Sequence, residues 1–216
     1  VYMLALNLVA RQTVLPILVS QLTPSKMALG LIPAIDNLGF LLPQLLTANY
    51  TQGLRRKLPF VAAIGISERL PYLLIAVIVW RLADSTPGVT VVALFLLLAV
   101  HTFSGGIVTP GWFDLIAKVI PTRRRGLWSG LAHGLGALLG VAGAALAGRV
   151  LVEWPYPQNF AICFLLAFGA LVASWGALVL NREPDSPSVK TGTPLVAYLR
   201  QLPAVIRRDQ NYVRYL

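Results

Sequence analysis

Six runs of roughly 20 apolar residues make up most of this 216-residue chain. A helix rises about 1.5 Å per residue, so roughly 20 apolar residues cross a hydrocarbon core about 30 Å thick. The runs cover residues 1–20, 27–48, 60–81, 89–110, 127–148 and 159–180. The fourth run continues past Pro110 and Gly111 to residue 120, so we expect a break or kink at Pro110–Gly111 and an extension into the loop region. The pattern predicts an all-α, polytopic membrane bundle with six transmembrane helices.

Composition supports lipid rather than water as the surrounding solvent. Hydrophobic residues make up 56% of the chain and charged residues 12%, whereas about a quarter of a soluble domain is charged. This balance argues against a soluble enzyme. The formal charge of +10 comes from short basic clusters between apolar runs, which is typical of membrane loops and not of a nucleic-acid interface. The single cysteine, Cys163, excludes an internal disulfide and a cysteine-based metal site, and we expect no metal or cofactor.

Basic residues alternate between the two sides of the predicted bundle. Lys and Arg are retained on the cytoplasmic side during insertion. Twelve of them fall on one side, namely Arg55, Arg56, Lys57, Arg123, Arg124, Arg125, Arg182, Lys190, Arg200, Arg207, Arg208 and Arg214. Three fall on the other side: Lys26, Arg81 and Arg149. The bias predicts an integral membrane protein with a cytoplasmic N-terminus.

The chain divides into a long apolar part and a short polar one. Residues 1–180 form the predicted six-helix unit, residues 181–211 a basic cytoplasmic loop, and residues 212–216 the start of a truncated seventh span. Within the loop, Leu195, Leu199, Leu202 and Ile206 lie on one face of a helix over 194–208. That helix either lies on the inner membrane surface or packs on protein as a linker. We expect the sequence to be a fragment of a longer protein.

Four charged residues lie within the predicted spans: Arg11, Asp36, Glu68 and Arg69. Each costs at least ~2.5 kcal/mol near the bilayer centre unless it finds a partner or a water-filled cavity. Arg11 and Asp36 lie at the same depth, and Glu68 and Arg69 lie near the midplane. Neighbouring helix positions point about 100° apart, so we expect Glu68 and Arg69 to face different neighbours. Cross-helix pairs of Arg11 with Glu68 and of Asp36 with Arg69 would neutralise all four.

Two interpretations of this charged group remain open. In the functional one, Asp36 or Glu68 binds substrate or a proton and Arg11 is the counter-charge; in the other, the group is a structural ion-pair cluster. Asn37 adds hydrogen-bonding capacity, which favours a polar cavity. His101 lies near the midplane of the fourth span, where it is either part of a proton relay or a buried core histidine.

The fifth span is rich in glycine. Gly126, Gly130 and Gly134 form one stripe at four-residue spacing, and Gly136 with Gly140 forms another. Small residues at this spacing let helix backbones approach closely. The stripes indicate either tight static packing or a sliding interface.

Two loop sequences carry a family resemblance. Residues 121–130, PTRRRGLWSG, look like the Pro-xxx-Arg-Gly-xxx-Gly junction into the fifth helix of major facilitator superfamily transporters. Residues 53–57, GLRRK, resemble the basic end of that family's loop between helices two and three. Upstream, Ala48, Asn49 and Tyr50 stand where the family usually has glycine and aspartate. With the six spans and the basic loops, the whole chain resembles the N-terminal half of such a transporter.

This resemblance implies an architecture and a gate. The six helices would form two inverted three-helix repeats, with the C-terminal half of the same polypeptide missing here and a small-molecule substrate bound at the midplane between halves. A cytoplasmic gate would join Arg55, Arg56, Lys57 and Arg125 with Asp114, the acidic residue at the matching place on the fourth helix. Alternatively, these basic residues are only a topology signal.

The sequence thus predicts a secondary active transporter that moves a small solute by alternating access, with proton-coupled export as one form and uncoupled facilitation as another. The expected location is a bacterial inner membrane. The rival is a six-helix scaffold or assembly subunit that transports nothing and docks through its glycine-rich fifth helix. No GxSxG or HExxH motif is present, so we do not expect an enzyme.

Overall fold

The computed structural model of the protein describes residues 1–185. Of these residues 84% are helical, and no strand occurs among them. The helices are α1 (Tyr2–Leu8), α2 (Val14–Leu22), α3 (Lys26–Gln52), α4 (Leu58–Leu82), α5 (Pro87–Val119), α6 (Arg125–Glu153) and α7 (Gln158–Val179). A short 3-10 turn, Thr122–Arg124, joins α5 to α6. The predicted all-α class is confirmed for this part of the chain.

Five helices, α3 to α7, are long and apolar enough to cross a membrane. They correspond to the second to sixth predicted spans. Their apolar residues extend around the whole helix, as expected of helices that face lipid on one side and other helices on the other. Many large apolar side chains on them are exposed, including Leu96, Leu138 and Val141. This pattern is that of an integral membrane protein.

The first span is not one continuous helix, so the prediction for residues 1–20 is wrong in that respect. α1 ends at Leu8 and α2 begins at Val14, and neither is long enough to cross a membrane by itself. Pro16 lies in the first turn of α2, where its ring would clash with the carbonyl of residue 12 in a continuous helix. The break places Arg11 on non-helical backbone between two short helices.

The break predicted as one alternative at Pro110 and Gly111 does not occur, and a kink there stays a prediction. α5 runs without interruption for 33 residues, with Pro110 inside it. Pro110 has no N–H, so the carbonyl oxygen of Gly106, four residues earlier, loses its helix donor. Prolines in membrane helices are tolerated where the surroundings compensate for such a loss. The helix continues past Pro110 to Val119, where the extension was expected.

The helices pack in a definite order. α1 lies between α6 and α7, α7 packs on α4, α4 packs on α5, and α5 packs on α3, while α2 contacts both α3 and α5. The core includes side chains of α1, α2, α4 and α7, among them Leu8, Leu18, Ala76, Phe160 and Leu171. Of the five long helices, α4 is the most buried. Its side chains therefore contribute most to the interior.

Glycines allow two pairs of helices to approach closely. A Cβ atom at Gly143 of α6 would lie 2.5 Å from the carbonyl oxygen of Leu4 in α1. A Cβ atom at Gly106 of α5 would lie 2.5 Å from the carbonyl oxygen of Phe40 in α3. Gly140 likewise lies against the side chain of Asn7. Any side chain at Gly143 or Gly106 would push two backbones apart.

The other glycine stripe of α6 has no neighbour within residues 1–185. Cβ atoms at Gly126, Gly130 and Gly134 would meet nothing within 4 Å. The large apolar side chains beside them, such as Leu127 and Leu131, are exposed. The packing role expected for this stripe stays a prediction.

The connections between helices gather at two ends. At one end, which we call the basic end, the α3–α4 loop, the last turn of α5 and residues 181–185 come together, and Lys118 forms an ion pair with Glu183. At the opposite end, burial and the nearby charge of Asp84 raise the pKa of Tyr156. The loops thus alternate as the predicted topology requires. The predictions for residues 186–216, including the amphipathic helix at 194–208 and the seventh span, lie outside the described residues.

Candidate functional site

Arg11 lies at the centre of a polar network inside the bundle. Its guanidinium forms an ion pair with Asp36 of α3, and its second terminal nitrogen lies 2.7 Å from Nε2 of His101 in α5. The side chains of Arg11 and Asp36 are 27% and 29% exposed. The shared depth expected for these two residues is confirmed, whereas the expected pairing of Arg11 with Glu68 is wrong. The break between α1 and α2 gives the guanidinium access to both neighbouring helices.

His101 is buried, and both of its ring nitrogens have partners. Nδ1 lies 2.7 Å from the backbone carbonyl oxygen of Glu68. A carbonyl oxygen can only accept a hydrogen bond and a guanidinium can only donate one. Nδ1 therefore carries the hydrogen and Nε2 accepts from Arg11, so the ring is the neutral Nδ1–H tautomer. His101 joins the break in the first span to the backbone of α4.

Glu68 and Arg69 face different helices, as expected, because Glu68 accepts from Tyr2 of α1 and Nε of Arg69 donates to the carbonyl oxygen of Leu171 in α7 at 3.1 Å. They also pair with each other, which was not expected, and the predicted pairing of Arg69 with Asp36 is wrong. Nη1 of Arg69 lies 3.1 Å from Oε2 of Glu68. Arg69 turns back along α4, where it also donates to the carbonyl oxygen of Gly65 at 2.6 Å. A Cβ atom at Gly65 would lie 2.9 Å from that nitrogen. The absence of a side chain at Gly65 lets the long arginine fold against its own helix.

Two tyrosines complete the network, and the sequence reasoning missed both. The hydroxyl of Tyr2 donates to Oε1 of Glu68 at 2.7 Å, and the ring of Tyr72 meets the His101 ring edge-on at a centroid distance of 4.9 Å. Tyr72 follows Glu68 by four residues, which puts both on one face of α4 and was the available signal. Nothing in the sequence pointed to Tyr2.

The structure therefore brings together five of the six predicted site residues: Arg11, Asp36, Glu68, Arg69 and His101. The sixth, Asn37, is exposed and donates to the carbonyl oxygen of Pro33, one turn back in α3. Every buried side-chain nitrogen and oxygen within residues 1–185 has a hydrogen-bond partner. Such complete pairing is how charges persist in a low-dielectric interior.

A small cavity lies beside this network. Arg11, Tyr72 and His101 form its polar wall, and apolar side chains such as Leu15, Leu98 and Phe164 form the rest. It is large enough to hold a water molecule. No group of three or more His, Cys, Asp or Glu that could hold a metal ion occurs in residues 1–185. The arrangement suits the binding of a proton or a small polar group more than catalysis at a metal.

A second cluster forms at the basic end. The carboxylate of Glu183 accepts the backbone N–H groups of Lys57 and Leu58 at 2.8 and 2.6 Å, and it pairs with Lys118 at 2.6 Å. It thereby caps the N-terminus of α4, where a negative charge is favoured. Although burial of Glu183 opposes the shift, these hydrogen bonds hold its pKa below the usual value.

The arginines of the α3–α4 loop also take their partner from the segment after α7. Arg55 and Arg56 lie 3.0 and 2.6 Å from the Asp185 carboxylate. The hydrogen bond from Arg56 lowers the pKa of Asp185. Arg55 and Arg56 thus pair with Asp185, and the partner that the resemblance implied for them, Asp114, instead acts electrostatically on Lys57.

Lys57 and Arg125 complete the set of predicted basic gate residues. Burial and the nearby charge of Lys118 lower the pKa of Lys57, against which Asp114 acts. Arg125 donates to the carbonyl oxygens of Ala117 and Ile120 and so closes the turn between α5 and α6. The sequence reasoning missed Glu183 and Asp185, although two acids directly after the sixth span were a signal for contacts with the basic loop.

Fold and site together define a helical membrane protein with a fully paired charge network at the break between α1 and α2. Comparison with known protein families, curated proteins and solved structures gave no match.

Proposed function

We propose that this chain is the N-terminal half of a secondary active transporter that moves a small solute by alternating access. The observation that carries the proposal is the network of Arg11, Asp36 and His101 at the break between α1 and α2. Discontinuous helices with ionisable groups at mid-depth are typical of transporter sites, because freed backbone and side-chain charges can then face a cavity. A purely structural span has no comparable reason to retain such costly groups.

The packing order supports two inverted three-helix repeats. We count α1 and α2 together as span one, so that α3 to α7 are spans two to six. Exchanging spans one, two and three with spans four, five and six then maps the α1–α6 contact onto the α5–α3 contact. The same exchange maps α4–α5 onto α7–α1 and α4–α7 onto itself, which accounts for the five most extensive contacts. The two equivalent interfaces, α1–α6 and α3–α5, each contain a glycine against a backbone carbonyl. This correspondence is what an internal repeat of major facilitator type predicts.

The basic end is the cytoplasmic side in this proposal. Twelve basic residues in the sequence belong to it and three to the other side. Glu183 and Asp185 join the α3–α4 loop to α5 there, and these contacts would form the gate. Each exposed pair contributes under about 1 kcal/mol, which is enough to bias two conformations without locking one. The proposed partner is the C-terminal half of the same polypeptide. The proposed location is a bacterial inner membrane.

The test is whether the cavity opens to both sides of the membrane. In the full-length protein with Cys163→Ala, we would introduce Leu98→Cys, which lines the cavity, or Leu96→Cys, which is exposed on the same helix and faces lipid. A charged, membrane-impermeant thiol reagent is then added outside two sets of vesicles. In one set the cytoplasmic face of the protein points outward, and in the other it points inward. We expect Leu98→Cys to react to completion from both sides and Leu96→Cys from neither. Reaction of Leu98→Cys from one side only would refute alternating access.

A second candidate is a scaffold that docks through α6. The open face around Gly126, Gly130 and Gly134, flanked by exposed leucines, is the observation that favours it. Such a protein needs no cavity that opens alternately. The same labelling experiment therefore separates the two functions.

A further inference from the structure

The neutral form of His101 depends on Arg11. The Nε2 lone pair accepts a hydrogen bond from the guanidinium at 2.7 Å, and Nδ1–H donates to the Glu68 carbonyl oxygen at 2.7 Å. An imidazolium ring has no lone pair to offer. A proton can bind Nε2 only if Arg11 leaves it, and the two cations would then repel each other.

Arg11 is able to leave without losing its charge partner. Its guanidinium also pairs with Asp36, and it stands on non-helical backbone between α1 and α2. The cavity that touches both Arg11 and His101 gives water, and hence a proton, a place beside Nε2. Release of Arg11 therefore needs a side-chain movement but no unwinding of a helix.

We propose that His101 takes up the coupling proton by exchanging its hydrogen bond from Arg11 for a proton at Nε2. One N–H bond forms on the ring as one O–H bond of a hydronium ion in the cavity breaks and leaves a water molecule, and Arg11 stays with Asp36. This inference rests on the proposed transport function and names its coupling ion. The titratable and charged groups around His101 are Tyr2 and Arg11 from the first span, Asp36 from α3, and Glu68, Arg69 and Tyr72 from α4.

The charge count shows how the exchange acts as a switch. Two arginines and two carboxylates balance in this network, so a neutral His101 leaves no net charge. A proton on His101 adds one positive charge in a poorly solvated place, which alters the balance that holds α3, α4 and α5 around the break. The proton thus changes the relative stability of conformations that differ at this point.

His133 offers a matched control within the same chain. Its Nδ1 also lies 2.7 Å from a backbone carbonyl oxygen, that of Ser129, but it is exposed. No guanidinium within residues 1–185 is bonded to its ring. The two histidines therefore differ in burial and in the arginine contact.

The direct test is nitrogen-15 NMR of histidine-labelled, full-length protein in lipid bilayers. Signals are assigned by their loss in His101→Gln and in His133→Gln. We expect His101 to be the Nδ1–H tautomer at alkaline pH and to gain a proton on Nε2 as the pH falls. In Arg11→Gln, the ratio of imidazolium to neutral His101 at a given pH should rise at least about tenfold, because a nearby positive charge is gone. The ratio for His133 should not change.

Two results would overturn the exchange. One is a hydrogen on Nε2 of His101 at alkaline pH, and the other is titration of His101 at the same pH in Arg11→Gln as in the parent. The exchange would also be excluded if His101 stayed neutral, in the parent and in Arg11→Gln, at a pH at which His133 is fully protonated.

The functional arm uses the Leu98→Cys protein. The ratio of labelling from the two sides should change with pH, and His101→Gln, which can still donate to Glu68 and accept from Arg11, should abolish that change. If labelling alternates but its pH dependence survives in His101→Gln, the proton site lies elsewhere and transport still stands. If His101 exchanges as expected but Leu98→Cys reacts from one side only, the transport proposal fails instead.

Discussion

Gly143→Ala tests the close approach of α1 and α6 on which the site depends. The added Cβ would lie 2.5 Å from the carbonyl oxygen of Leu4, well inside ordinary contact distance, and backbone atoms cannot rotate away as a side chain can. Insertion of a methyl group into a packed interface costs typically about 1–3 kcal/mol. The matched variant is Gly130→Ala, because a Cβ there meets nothing within 4 Å in residues 1–185.

Both substitutions gain the same helix propensity, up to about 1 kcal/mol, so the difference between the two variants isolates the steric cost. We therefore expect Gly143→Ala to be less stable than Gly130→Ala by about 1–3 kcal/mol. The assay is reversible unfolding of the full-length protein in mixed micelles with increasing sodium dodecyl sulfate, followed by tryptophan fluorescence. Free energies of unfolding that agree within about 0.5 kcal/mol would refute the assigned α1–α6 contact.

Two further predictions concern carboxylates. Glu68→Gln leaves buried Arg69 without its charge partner and should lower the free energy of unfolding by about 3–5 kcal/mol, whereas the exposed Glu153→Gln should change it by less than about 0.5 kcal/mol in the same assay. Equal effects would contradict the pairing. Because the folded pKa of Glu183 is lowered, its contribution to stability is present at neutral pH and is lost as the pH falls through that pKa, below about 4.3. Unfolding measured between neutral and acid pH should therefore lose less stability in Glu183→Gln than in the parent, and equal losses would contradict the cap on α4.

Helix positions were predictable because long apolar runs have few alternatives in a membrane. The break in the first span was not, since a few polar residues between apolar flanks hardly lower the average hydropathy of a 20-residue window. Yet the local signal existed, because Arg11 and Gln12 precede Pro16 by one turn. A proline disfavours helix at the residues just before it. A polar step followed by proline in an apolar run is therefore better treated as a candidate break.

Depth along a helix follows from counting residues, but the direction of a side chain and its neighbours do not. Arg11 and Asp36 were placed at one depth correctly, and they pair. Glu68 and Arg69 were separated by the angle between their Cβ atoms, which ignores the length of arginine. The space above Gly65 lets Arg69 return to Glu68. Such contacts depend on the length of the side chain and on the size of the residue one turn away, so the angles of a helical wheel alone cannot predict them.

The basic end and the buried network are joined by a single helix. α4 carries at its N-terminus the backbone N–H groups that Glu183 accepts, and it carries the carbonyl oxygen of Glu68 that holds His101. Pro71 lies beyond Glu68, so no proline interrupts α4 between its first turn and the network. Because a continuous helix moves largely as one body, loss of the cap and release of Arg11 from His101 should favour each other if both accompany a shift of α4. Because coupled equilibria are reciprocal, Glu183→Gln should also change the pH at which His101 takes up a proton.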